Sequence, residues 1–249
     1  MIFIPNLTNT GNTTDIVSTL RQMPAESLLF LLTIVLFFVS LIISASVKSK
    51  FKKYSKVRPY NGMTGSEAAR KILAANGIYD VDIYNIGGSL TDNYNPLNKR
   101  LNLSDTVCNV SSVSAIAVAA HECGHAIQHA KKYPFLMLRK ALVPVTNIGS
   151  TGSYIAIIVG LLFGMTKFVE IGAYLFGAVV LFNLITLPVE INASRRAMAE
   201  IERLNILTAD ERHGGQKVLF AAAMTYFIAL VSSLVQFLRL LAIANRRRR

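Results

Sequence analysis

Four long apolar runs constrain the fold of this chain more strongly than any other feature of its sequence. The first run, from Ser27 to Val47, carries no charged residue. As a helix rising about 1.5 Å per residue, it is long enough to cross the roughly 30 Å hydrocarbon core of a membrane. The other runs cover residues 142–165, 168–189 and 218–244. Charged residues make up 16% of the chain, against about 25% in a typical soluble domain. The sequence therefore predicts a mainly α, multi-pass membrane protein with three or four transmembrane helices.

Basic residues beside these runs predict which side of the membrane each segment faces. Clusters of Lys and Arg follow the first run, precede the second and follow the third, and such clusters mark cytoplasmic flanks. A fourth full crossing would place Arg246 to Arg249 outside, against this rule, so the last run is either a crossing or a re-entrant helix. The predicted organisation is an extracytoplasmic tail (1–26), a transmembrane anchor (27–47), a cytoplasmic segment (48–141), two transmembrane helices (142–165 and 168–189), a second cytoplasmic segment (190–217), the transmembrane or re-entrant helix (218–244) and a basic tail (245–249).

The formal net charge of +12 bears on the partners of the protein. The charges lie beside the ends of the membrane runs, and no nucleic-acid recognition motif accompanies them. We therefore predict contacts with anionic lipid and none with nucleic acid.

The first cytoplasmic segment has its own local signals. Thr64 and Glu67 are spaced as a capping box that starts a helix. Two short alternating runs, at residues 81–86 and 99–104, predict a small β element, either a hairpin or two separate strands. Ser111 or Ser112 then caps a long alanine-rich helix.

That long helix carries the sequence His121-Glu122-Cys123-Gly124-His125. Two histidines four apart on a helix point the same way, so their imidazoles can bind one zinc ion. Glu122 would lie beside a water on that ion and is the candidate general base. The motif thus predicts a zinc-dependent hydrolase.

A catalytic zinc usually has a third protein ligand. The metzincin pattern would need a histidine where Lys131 stands, so that class is excluded. His129 continues the histidine stripe, but it lies about 12 Å from His121 along the helix axis. We therefore predict that His129 supports a ligand or contacts substrate. Glu190, at the cytoplasmic end of the third apolar run, is the better third ligand, because a carboxylate at that depth needs a partner.

Several segments resemble a known family. They are GMTGSEAARKIL, LTDNYNP, LNLS, AAHECGHAIQHA, LRKALVPV and LPVEINASRRA. These segments resemble a family of bacterial membrane zinc metallopeptidases, and more distantly the gluzincin membrane proteases of the heat-shock and CAAX-prenyl-protease type. The similarity runs from about residue 51 to the C-terminus.

The resemblance implies a mostly helical, gluzincin-like core in which His121, His125 and Glu190 bind zinc. In those distant proteases, a Glu-x-x-Ala-Asp motif supplies the third ligand and an aspartate that bonds a ligand. Ser194 stands where that aspartate would be, so the support of a histidine must differ, with Asn192 or Arg195 as candidate replacements. Tyr94, Asn93 and Arg195 are candidates to stabilise the reaction oxyanion.

The sequence as a whole predicts a zinc endopeptidase in the bacterial plasma membrane. It would hold one Zn²⁺, face the cytoplasm and cleave peptides or membrane proteins. The alternative is a membrane scaffold that binds zinc without catalysis, with His129 as a fourth ligand. The oligomeric state is left open.

Overall fold

The computed structural model describes residues 23–246, with the backbone alone at residue 246. Most of the predicted extracytoplasmic tail and the last three arginines lie outside the described residues. Within the described range, the chain forms six helices and three strands. The helices are α1 (Ala25–Tyr54), α2 (Gly65–Ala75), α3 (Val113–Ala130), α4 (Pro134–Leu162), α5 (Thr166–Arg203) and α6 (Ala209–Arg246), and the strands are β1 (Asp82–Ile86), β2 (Asn93–Asn95) and β3 (Arg100–Ser104).

Four of these helices, α1, α4, α5 and α6, are long and apolar enough to cross a membrane. Helix α4 packs against α5, α5 packs against α6, and α6 packs against α1. Large apolar side chains on their outer faces are exposed, as at Ile42, Ile148 and Leu162, which are 69%, 74% and 75% exposed. Such surfaces suit contact with lipid. The prediction of a mainly α protein with apolar spans is confirmed.

Helix α5 extends well beyond the apolar run that predicted it. Its 38 residues correspond to about 57 Å, nearly twice the hydrocarbon thickness of a bilayer. Helix α4 likewise begins at Pro134, ahead of its apolar run. The ends of these helices therefore project towards α3, and Glu190 lies on the same continuous helix as the third apolar run.

The three strands form one sheet in the order β1-β3-β2. Of the two predicted arrangements, a hairpin or two separate strands, the hairpin is excluded because β1 and β3 pair in parallel. The short strand β2, which the sequence did not reveal, takes the antiparallel position beside β3. It occupies one edge of β3, so β1 must pair with the other edge, and β2 is left as an edge strand of the sheet.

Helix ends follow the predicted capping signals. The Thr64 hydroxyl accepts from the Glu67 backbone N–H, and the Glu67 carboxylate accepts from the Thr64 backbone N–H, which completes the capping box. Of the two candidate serines, Ser112 caps α3 by accepting from Ala115 N at 3.2 Å. Helix α3 is buried along most of its length and forms the centre of the water-facing core with α2, β3 and the end of α5.

Candidate metal centre

A close approach between α3 and α5 builds the site. Gly124 has no side chain, and a Cβ at that position would lie only 2.5 Å from the Ala193 carbonyl oxygen. The two helix backbones therefore touch at this point. Because His121 and His125 flank Gly124 on the same face, the contact brings both imidazoles to the turn of α5 that carries Glu190.

The three side chains converge on one point. Oε2 of Glu190 lies 3.3 Å from Nε2 of His121 and 3.4 Å from Nε2 of His125. One ligand atom from each residue can be chosen so that all lie within 4.8 Å of one another. Two ligands at about 2.0–2.2 Å from a tetrahedral zinc are about 3.3–3.6 Å apart. The spacing of these nitrogen and carboxylate donors therefore fits a zinc ion.

A chain of hydrogen bonds fixes the tautomer of His125. Arg196, which is always protonated, donates from Nε to Asn192 Oδ1 at 2.7 Å. The same oxygen accepts from Gln128 Nε2 at 3.0 Å, and Gln128 Nε2 also donates to the Val189 carbonyl at 2.8 Å. The remaining amide atom, Gln128 Oε1, must then accept from His125 Nδ1 at 3.0 Å. The Nε2 lone pair of neutral His125 is consequently directed towards Glu190.

His121 has a separate support. Its Nδ1 lies 3.0 Å from the Ser194 hydroxyl, so the residue that aligns with the aspartate of the Glu-x-x-Ala-Asp motif itself contacts the ring. The predicted replacements have other positions. Asn192 acts on His125 through Gln128, whereas Arg195 is exposed and lines a groove between α5 and α6.

Two further residues contact Glu190 and were missed by the sequence reasoning. Arg139, from the start of α4, donates from Nη1 to Glu190 Oε1 at 2.9 Å. Tyr226, from α6, is hydrogen-bonded to the same carboxylate. Glu190 is only 2% exposed, so these donors satisfy a charge that water does not reach. Arg139 is one of several basic residues that precede the second apolar run, and Tyr226 lies inside an apolar run, so neither carries a distinguishing signal in the sequence.

Glu122 lies in the same cleft as the three converging residues. The cleft has a volume of about 300 Å³ and is also lined by Tyr94, Arg139 and Tyr226. Burial raises the pKa of the Glu122 carboxyl, the neighbouring histidines oppose the rise, and the Glu190 carboxylate adds to it. A buried carboxylate beside a metal position can accept and return a proton.

Tyr94 and His129 form a pair at the edge of the cleft. The Tyr94 hydroxyl lies 2.8 Å from His129 Nδ1, and burial raises the pKa of Tyr94 to about 12. Among the described residues, His129 is not part of the converging set, which comprises His121, His125 and Glu190. His129 instead joins the end of α3 to strand β2, which lines the cleft through Asn93 and Tyr94.

Long apolar helices, an HExxH helix and a His-His-Glu cluster together define the class of membrane zinc metallopeptidases. The family described as "Putative neutral zinc metallopeptidase" matches residues 29–245. This chain belongs to that family. It is also 44% identical over 216 residues to the "Putative membrane protease YugP" of Bacillus subtilis (strain 168), a match that covers 87% of this chain and 96% of the relative. Comparison with solved structures gives no significant match.

Proposed function

We propose that this protein is a membrane-anchored zinc endopeptidase in which His121, His125 and Glu190 hold one zinc ion. The observation that carries the proposal is the spacing of Glu190 Oε2 from the two imidazole Nε2 atoms, 3.3 and 3.4 Å. Both values match the separation of ligands on a tetrahedral zinc. When bound, the ion supplies Lewis-acid polarisation of a peptide carbonyl and a water of lowered pKa.

The proton transfers are assigned to Glu122. Glu122 is 8% exposed and lines the cleft. In the sequence it lies between His121 and His125. In this proposal its carboxylate accepts a proton from the attacking water and passes it to the nitrogen of the leaving amine. The raised pKa of the buried carboxyl makes it a stronger base than a solvated glutamate.

The hydrogen-bond donors in the cleft are assigned to the reacting carbonyl oxygen. Arg139 and Tyr226 both contact Glu190, so their donors lie beside the metal position. Tyr94 and Asn93 line the cleft from strand β2. Donors held in place in this way stabilise charge that develops on an oxygen in the transition state.

Strand β2 supports binding of an extended peptide. Among the strands of residues 23–246, it pairs only with β3, which leaves its other backbone edge as an edge of the sheet. Peptides often bind by adding a strand to such an edge, through main-chain hydrogen bonds that do not require a chain terminus. This geometry favours an endopeptidase that acts on unfolded peptides or on exposed segments of membrane proteins.

Orientation and lipid contact are also part of the proposal. The basic flanks at the ends of α1, α4 and α5 favour a cytoplasmic position for the cleft and attraction to anionic lipid. Both native cysteines are buried. A cysteine introduced at exposed Tyr79 can therefore report sidedness through an impermeant thiol reagent, and labelling in intact cells would contradict the cytoplasmic assignment.

The decisive experiment compares zinc content and cleavage in the purified, full-length protein. Wild type is expected to hold one zinc per chain and to cleave fluorogenic peptides or casein. Glu122→Gln is expected to keep the zinc and lose cleavage by a factor of about 100 or more. Glu170→Gln is a matched control, because Glu170 lies near the start of α5, beside Lys167, and should behave like wild type. Zinc-loaded wild type that cleaves no unfolded substrate would overturn the proposal.

The competing function is a scaffold that binds zinc without catalysis. A structural zinc site usually has four protein ligands, and His129 was the candidate for the fourth. Its imidazole is instead paired with Tyr94. X-ray absorption spectroscopy of the zinc-loaded protein distinguishes the two, since a third imidazole, recognised by its multiple scattering, or a sulfur ligand supports the scaffold, whereas two imidazoles with oxygen ligands support the peptidase.

A further inference from the structure

A second cavity lies between α5 and α6, separate from the metal cleft. It is an open groove of about 700 Å³ with a mostly apolar lining. That volume lies within the range of about 300–1,000 Å³ that is typical of small-molecule sites. An extended alkyl chain is much narrower than a helix, which is about 10–12 Å across, and suits a groove of this volume.

The groove changes from polar to apolar along its length. At its water end, Arg212 of α6 donates to Glu202 of α5 at 2.6 Å. Leu187 and Phe227 line the opposite end. Both belong to the apolar runs that predict the membrane spans, so this end of the groove faces the bilayer interior.

Arg195 lies between the two ends. It is exposed and lines the groove near the water-facing ends of the apolar runs of α5 and α6. Leu187 is about 12 Å further into the membrane along the helix axis. The groove therefore combines a guanidinium near the membrane surface with a channel long enough for the first part of an acyl chain.

The charges of the groove favour an anionic occupant. Three ionisable side chains line it, and the pairing of Glu202 with Arg212 leaves Arg195 as the excess positive charge. Guanidinium groups bind phosphate through two parallel hydrogen bonds. Basic pockets between membrane helices are typical sites for anionic lipid headgroups.

We propose that the groove between α5 and α6 binds one anionic phospholipid, with its phosphate on Arg195 and an acyl chain running past Leu187 to Phe227. The site is independent of the peptidase assignment, although Ser194, which contacts His121, also lines the groove. Failure of either proposal leaves the other unaffected.

The chain contains no tryptophan, which allows a clean fluorescence test. In the Phe227→Trp variant the indole reports on the apolar end of the groove, and lipids brominated in mid-chain quench it on contact. In mixed vesicles, brominated phosphatidylglycerol is expected to compete for this site roughly fivefold better than brominated phosphatidylcholine. This factor corresponds to the attraction of one arginine for an anionic headgroup. Phe38→Trp, on the exposed face of α1, is the control for lipid attracted by a basic flank alone and should show a smaller preference.

Three further variants in the Phe227→Trp background locate the site. Arg195→Gln should abolish the preference, Arg195→Lys should keep part of it, and Lys48→Gln, an exposed basic residue on α1, should leave it unchanged. Far-ultraviolet circular dichroism confirms that each variant is folded. Equal quenching by the two lipids, or a preference that survives Arg195→Gln, would overturn the proposal. So would displacement by soluble glycerol phosphate, because it would reveal an anion site without a lipid chain.

Discussion

The Ser194 hydroxyl lies 3.0 Å from Nδ1 of His121, in the position that an aspartate takes in the more distant gluzincin proteases. Histidines that bind metals usually donate their second ring nitrogen to such a partner, which fixes the tautomer and the ring orientation. A serine can accept this hydrogen bond but brings no charge. His121 is thus oriented by a neutral group, and the negative charge near the proposed metal comes from Glu190 and Glu122.

Ser194→Ala should weaken zinc binding by about 10–100-fold, because His121 loses the acceptor that orients it. Ser194→Asp should retain or increase affinity, since a carboxylate is a stronger acceptor. Titration against a chromogenic chelator measures the zinc affinity of both variants. Ser40→Ala, which removes an exposed hydroxyl bonded to a backbone carbonyl of α1, is the control. Wild-type zinc affinity in Ser194→Ala would show that this contact does not support the metal.

Gln128→Leu should reduce zinc affinity at least tenfold and destabilise the protein by about 1–3 kcal/mol, because it leaves buried partners without hydrogen bonds. The partners are His125 Nδ1, the Val189 carbonyl and Asn192 Oδ1. A purely structural role would lower stability alone. Asn183→Leu removes an amide that bonds to Ser233, away from the metal, and should lower stability with zinc affinity unchanged. The chelator titration and chemical denaturation together separate the two effects.

The contrast between the ligands and their supports explains what the sequence could predict. His121 and His125 are one helical turn apart, so their common direction follows from helix geometry alone. Glu190 was predicted because a carboxylate at the end of an apolar run needs a partner. The structure brings these three side chains together. The contacts of Gln128 and Arg139 depend instead on how α3, α4 and α5 are aligned, which local patterns do not encode.

The same distinction applies to the fold. The apolar runs and the capping box of Thr64 are local signals, and the structure follows them. Strand β2 has only three residues, Asn-Tyr-Asn, a composition with little strand preference. It forms because β3 offers it a partner edge, and together the three strands make a mixed sheet.

Arg139→Met should destabilise the metal-free protein more than the zinc-loaded protein. Without zinc, Arg139 is the charged partner of the buried Glu190 carboxylate, and loss of one partner of such a pair costs on the order of 3 kcal/mol. Bound zinc would balance that charge instead. The rise in unfolding temperature on adding zinc should therefore be larger in Arg139→Met than in wild type.

Arg70→Met serves as the control for this comparison, because Arg70 is exposed on α2 and should leave the zinc-dependent rise unchanged. Differential scanning fluorimetry of metal-free and zinc-loaded samples measures the zinc-dependent rise in unfolding temperature of each variant. An equal rise in Arg139→Met and wild type would mean that Arg139 does not stabilise the Glu190 charge.

Gly124 determines whether the metal ligands can meet, although it occupies a variable position of the HExxH pattern. A Cβ at this residue would lie 2.5 Å from the Ala193 carbonyl oxygen, and neither backbone can yield without separating α3 from α5. Gly124→Ala should therefore cost about 1–3 kcal/mol of stability and move Glu190 away from His121 and His125. Zinc affinity should fall together with peptidase activity, even though every ligand is retained.

Gly87→Ala is the matched control, because a Cβ there meets nothing within 4 Å. Denaturation and zinc titration of both variants measure the two effects, and normal zinc binding in Gly124→Ala would show that the helix contact does not set the ligand spacing.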